Sequence, residues 1–147
     1  MRYHLDEQEP GLNDMRRNID AWWPFVEQGV EAIVINASGC GVTVKEYGHY
    51  LKHDTDYAEK ARRVSGLARD LSEVLAPGAQ SLAELVAASP LKRVAYHPPC
   101  TLQHGQKVRG HAKNCCKVCD LPFSCPPTAT FAAVRQAPIR YYNLSCL

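Results

Sequence analysis

At 147 residues, with 46% hydrophobic and 22% charged residues, the chain has the make-up of one soluble globular domain. A formal net charge of +2, with Lys and Arg scattered rather than clustered, is too small to argue for binding to nucleic acid or to an acidic membrane surface. No segment reaches the roughly 20 apolar residues that span a bilayer, and MRYHLDEQEPG lacks the basic-then-apolar pattern of a secretory signal, so a cytoplasmic protein is expected.

In chain order, Asn13-Asp14 offers an N-cap for a helix over MRRNIDAWW, with Pro24 kinking or ending it and Gly29 closing the unit. EAIVIN is a short run rich in β-branched residues, as suits a strand buried in a parallel sheet. It ends in the small-residue turn Asn36-Ala37-Ser38-Gly39-Cys40-Gly41. VTVKEYGHYLK then reads as a helix, and DYAEKARRVSGLARDLSEVLA as a longer one, with Ala61, Val64, Leu67, Ala68 and Leu71 at helical spacing. Pro77-Gly78 breaks it, SLAELVAAS forms a short helix before Pro90, and KRVAYH forms a second strand running into Pro98-Pro99-Cys100. TLQHGQKVRG leads toward a further helix. This alternation predicts an α/β fold with a mainly parallel sheet, a partial Rossmann-like domain of short strands and flanking helices.

Seven cysteines are many for a reducing compartment, where they serve more often as metal ligands or redox groups than in disulfides. Cys40 and Cys100 each follow a predicted strand, and ligand sites in such sheets lie outside the carboxyl ends of the strands. A thiolate beside a following helix N-terminus is also favoured electrostatically. Two equivalent strand-end positions suit two ligand sets, although buried free cysteine is a common core residue too. Cys115, Cys116, Cys119, Cys125 and Cys146 crowd the remainder of the chain.

RRNIDAWWP, INASGCGVTVKEYGH and HPPCTLQHGQK, in that order, resemble the iron–sulfur subunit of bacterial glycolate oxidase over residues 1 to about 110. That family is similar to other cysteine-rich redox subunits, including those of heterodisulfide reductases. The resemblance implies a C-terminal half with two copies of a cysteine-rich domain, each with an early cysteine, a Cys-Cys-Gly motif and a late cysteine. A ferredoxin-like region with 4Fe–4S clusters precedes them. Cys40 then corresponds to the late cysteine of the first copy and Cys100 to the early cysteine of the second, both as iron–sulfur ligand candidates. The first Cys-Cys-Gly falls ahead of Met1, so a truncated, inactive fragment is expected. The resemblance also implies that glycolate is oxidised on a flavin, FAD, in a partner subunit. Electrons then pass through the clusters, and the complex sits in the cytoplasm or peripherally at the inner membrane. His97 and His104 flank Cys100 and either support a cluster by hydrogen bonding or shape the turn.

After Cys100 the family pattern leads to an Asp-Ser-His-Leu-Cys-Cys-Gly-Ser-Ala-Gly-Thr-Tyr motif, which is absent. Joining the third base of each codon to the first two of the next, from Pro127–Thr128 to Pro138–Ile139, permits every residue of that motif in order. Phe131–Ala132 and Ala132–Ala133, for example, both permit Cys, and Ala133–Val134 permits Gly. A frameshift near 110–112 is therefore expected, dividing the chain into a cysteine-rich redox domain over 1–110 and an out-of-frame, poorly ordered tail over 111–147.

The rival chemistry is a small zinc-binding module built from His111, Cys115, Cys116, Cys119 and Cys125, although their spacing fits no standard finger. Trp22 and Trp23 suit a subunit interface or a core residue beside a half-exposed one. Lys45 and Glu46 read as a solvated helix face.

Overall fold

The computed structural model describes residues 2–90, 93–121 and 123–124. A 3-10 turn, Arg2–Leu5, leads into the long helix α1, Gln8–Glu27. The helix starts ahead of the expected Asn13-Asp14 cap, because Pro10 lies in the first turn, where a missing N–H removes no intrahelical bond. It also continues through Pro24, which stands so near the end that only the last turn is affected. Gln28 N–H still donates to the Pro24 carbonyl at 3.2 Å. Gly29 then closes the unit with φ +87°, as the sequence leads one to expect.

Strand β1, Ile33–Ile35, is followed by α2, Ser38–Lys45, and the single turn α3, Tyr47–Tyr50. Helix α2 begins inside the small-residue segment, so Cys40 belongs to the first helical turn rather than to a loop ahead of it. Helix α4, Ala58–Leu67, is shorter than its periodicity suggests. Residues Ala68–Asp70 leave the helix to form β2, which pairs in parallel with β1 in the register Ile33–Ala68, Val34–Arg69, Ile35–Asp70. Pairing wins here because Gly66 weakens the helix and Ala68 is small enough to be fully buried against the core. Asp70 then starts α5, Leu71–Leu75, through a capping box: its carboxylate accepts from Ser72 N–H at 2.9 Å, and the Glu73 carboxylate accepts from Asp70 N–H at 2.8 Å. Leu71, expected on a buried helical face, is consequently 42% exposed.

One hydrophobic core joins these elements. Met15, Ile19 and Val26 of α1 pack with Val44, Tyr47, Leu51, Ala61, Val64 and Ala68. Trp22 and Trp23 are both half-buried against it. Trp22 stacks on Tyr47, with ring centroids 6.5 Å apart, while the Lys60 ammonium and the Arg63 guanidinium lie over Trp23 at 5.3 and 5.7 Å. Lys45 is not a freely solvated cation. Its ammonium lies 2.6 Å from the Glu73 carboxylate, tying α2 to α5. Glu46 accepts a hydrogen bond from the Tyr50 hydroxyl at 2.8 Å.

A 3-10 turn at Ala76–Gly78 marks the expected break, and α6, Ala79–Ala87, follows it. Strand β3, Val94–Ala95, runs through the prolines to Cys100 and a five-residue π-turn, Thr101–Gly105. Helix α7, His111–Val118, packs on α5 and α6, and β4, Phe123–Ser124, pairs in parallel with β3. The result is an α/β fold with parallel pairing, as expected, but β1 and β3 belong to separate two-stranded sheets among the described residues. Of the segment expected to be a poorly ordered tail, residues 111–118 are helical; 125–147 lie outside the described residues. No helix among the described residues is long and apolar enough to cross a membrane.

Candidate functional site: two cysteine turns in contact

Strand β1 delivers the chain through Asn36 and Ala37 into α2, where Cys40 is the third helical residue and exposed. Backbone N–H groups of a first helical turn have no partner within the helix. Beneath α2, the Tyr47 hydroxyl oxygen accepts from Asn18 Nδ2 at 2.9 Å. Burial pushes the Tyr47 ionisation upward against that donor.

Cys100 caps the π-turn and is also exposed. The turn is wound by Leu102 and Gln103 N–H groups that both donate to the Pro99 carbonyl at 3.1 Å, and Gln103 Nε2 adds a bond to the Pro98 carbonyl at 3.2 Å. Pro98-Pro99 has no N–H to give a sheet, and its carbonyls serve the turn instead. His97 and His104 both lie on the exposed surface of this region.

The two turns touch. Ser38 Oγ and Thr101 Oγ1 are 2.8 Å apart, and Gln106 Nε2 donates to the Ser38 carbonyl at 2.9 Å. Cys40 lies two residues beyond Ser38, and Cys100 directly precedes Thr101. The strand-end logic that points to Cys40 and Cys100 places them at one sheet edge; the structure instead brings their turns together by hydrogen bonds between segments that follow different sheets. Ser38, Thr101 and Gln106 have no distinguishing signal in the sequence, since their partners are more than 60 residues away.

The zinc-type residues are arranged differently. Cys115, Cys116 and Cys119 are half-buried on α7 and its C-terminal cap, and Cys119 Sγ lies 3.8 Å from the Ala79 carbonyl. Burial pushes the Cys116 thiol up, and its neighbours Cys115 and Cys119 push it further, which opposes the thiolate that a metal needs. Cys125 and Cys146 lie outside the described residues. Among the described residues no three His, Cys, Asp or Glu side chains stand together in a group that could hold a metal ion. A cluster needs several thiolates converging on one place. Cys40 and Cys100 supply two, so the described residues do not by themselves fit a complete iron–sulfur cluster.

No protein-family model and no solved structure matches the chain. The curated proteins similar to it include an uncharacterized iron–sulfur protein of Methanocaldococcus jannaschii, 32% identical over 94 residues, which cover 63% of this chain and 15% of that protein. With two exposed thiols on adjoining turns of an α/β fold, the similarity points to the class of iron–sulfur proteins. Within that class the chain is 54% identical over 111 residues to the glycolate oxidase iron–sulfur subunit of Escherichia coli, covering 76% of this chain and 26% of that subunit. It is 36% identical over 72 residues to a probable glycolate oxidase iron–sulfur subunit of Bacillus subtilis, covering 49% of this chain and 16% of that protein. The chain is thus a homologue of the glycolate oxidase iron–sulfur subunits, and it spans about a quarter or less of the length of the curated relatives it matches.

Proposed function

We propose that this chain serves as part of the electron-transfer subunit of a glycolate-oxidising enzyme, joining the end of one cysteine-rich repeat to the start of the next. The observation that carries this reading is the 54% identity over 111 residues to the Escherichia coli subunit. Cys40 and Cys100 are, on this reading, one thiolate from each of two ligand sets for clusters of the 4Fe–4S type, whose other members lie outside the described residues. Glycolate is oxidised to glyoxylate on a flavin in a partner subunit, and this subunit receives the electrons. The assembly works in the cytoplasm or as a peripheral complex at the inner membrane.

We further read residues 111–147 as translated out of frame. The support is that the genetic code permits every residue of the Cys-Cys-Gly motif, in order, in a shifted frame across residues 127–139. On this reading the cysteines beyond 110 carry no selected chemistry.

Sequencing the coding DNA from upstream of Met1 to beyond Leu147 tests the frame directly. A shifted frame that spells the motif and continues supports it. Stop codons there would overturn it and return Cys115, Cys116, Cys119 and Cys125 to consideration as a zinc module. The ligand assignment is tested by anaerobic reconstitution of the frame-restored product with ferrous iron and sulfide. Cys40→Ser and Cys100→Ser should each lower bound iron and acid-labile sulfide; undiminished content in either variant removes that cysteine from the ligand set.

A further inference from the structure

We propose that Gln106 is a positioning residue that fixes the Cys40 turn against the Cys100 turn and thereby sets the separation and orientation of the two thiols. The proposal rests on reading both cysteines as ligands, but it concerns their geometry and not the metal.

Gln106 bonds to the neighbours of both cysteines. Its backbone N–H donates to the Thr101 carbonyl at 2.9 Å, one residue from Cys100. Its side-chain Nε2 donates to the Ser38 carbonyl at 2.9 Å, two residues from Cys40. The side chain is only 9% exposed, and its Oε1 is buried without a hydrogen-bond partner. A buried amide with its oxygen unpaired is disfavoured relative to an apolar side chain of the same shape. Burial alone therefore gives no reason for glutamine here. What glutamine adds, and methionine would lack, is the N–H that joins the turns.

Both backbones are shaped around this contact. Gly41, the residue after Cys40, is buried, and a Cβ on it would overlap the Gln106 amide. Gly105 lies against Val42 in the same manner: a Cβ there would stand 2.5 Å from the Val42 side chain. The close approach of α2 to the π-turn thus depends on a glycine from each side, with Gln106 filling the space that Gly41 leaves. The second bond between the turns, Ser38 to Thr101, is exposed and so holds them less firmly.

The test is thiol crosslinking in the metal-free, full-length chain. A short bis-maleimide is applied anaerobically, and the joined tryptic peptides 18–45 and 94–107, which contain Cys40 and Cys100 as their sole cysteines, are quantified by mass spectrometry. Gln106→Met keeps length and burial, so the chain should still fold, melting at most a few degrees below the parent. The yield of joined peptide should fall about fivefold, the population shift that one net hydrogen bond supplies. Gly41→Ala should lower the yield similarly, and the double variant with Gln106→Ala should fall short of the sum of the single effects because the overlap is gone. Parental yield in a folded Gln106→Met chain overturns the proposal. So does failure of that variant to fold, which would make the residue merely structural, or absence of the joined peptide from the parent chain. Failure of the ligand reading would appear in iron and sulfide content and leave these yields unchanged.

Discussion

Asp54 shows how much one side chain can organise. It accepts from Arg16 Nε at 2.8 Å and from the Asp56 and Tyr57 N–H groups at 3.0 Å each, so it anchors α1 and caps the approach to α4 together. The Arg16 hydrogen bond holds its carboxyl below the ordinary range against the opposing effect of burial. Glu73 is pushed up by burial, but the Lys45 ammonium and the Asp70 N–H outweigh that and leave it lowered. A carboxyl whose folded value is depressed binds its proton more weakly in the folded state. The stability it contributes is whole above the ordinary carboxyl value and is lost as pH falls through the folded one. Thermal melting followed by circular dichroism should therefore be flat from neutrality to about pH 5 and decline below it. Asp54→Asn should lower the neutral melting temperature and flatten the acid decline. Tyr50 has the opposite sign. Burial, then its hydrogen bond to Glu46, pushes it up to about 12 from 10.0. Its contribution is whole below 10 and lost as pH rises toward 12, so Tyr50→Phe should shrink the alkaline loss of stability measured over that window.

At the scale of elements, the end of α4 is a boundary that the sequence misplaces because a distant partner sets it. The spacing of Ala61, Val64, Leu67, Ala68 and Leu71 continues a helical period across Gly66. The chain nevertheless turns into β2, because β1 offers parallel backbone hydrogen bonds at that point. One local cue was present: Asp70-Leu71-Ser72-Glu73 has the form of a capping box, which marks a new helix start at Asp70. Asp70→Ala should cost about 1 kcal/mol through loss of that cap, seen as a lower urea midpoint with unchanged slope. Conversely, the stop at Gly29 and the break at Pro77-Gly78 were legible, because both follow from backbone chemistry that needs no partner.

Across the whole molecule the packing is uneven. The core of α1, α2, α3, α4 and β2 contains fully buried Ile19, Ala61, Val64 and Ala68, whereas α7 has no buried residue. Amides of α7 should therefore exchange with deuterium well before those of α1, since local opening there exposes little apolar surface. Protection of α7 equal to that of the α1 core, measured by mass spectrometry, would show that residues 111–118 are an integral part of the folded unit. Early exchange fits the reading in which the sequence beyond 110 is not the one that this surface was built to carry.

Composition, strand-like runs and turn chemistry by themselves determined the α/β class, the two cysteines that follow strands and the homology carried by their flanking words. They do so because each depends on residues adjacent in the chain. Which strands pair, where α4 yields to β2, and how Ser38, Thr101 and Gln106 bring the Cys40 and Cys100 turns together were decided only in the tertiary structure. Those contacts join segments more than 60 residues apart at the site, and their free energy exists only once the core has brought them within hydrogen-bonding distance.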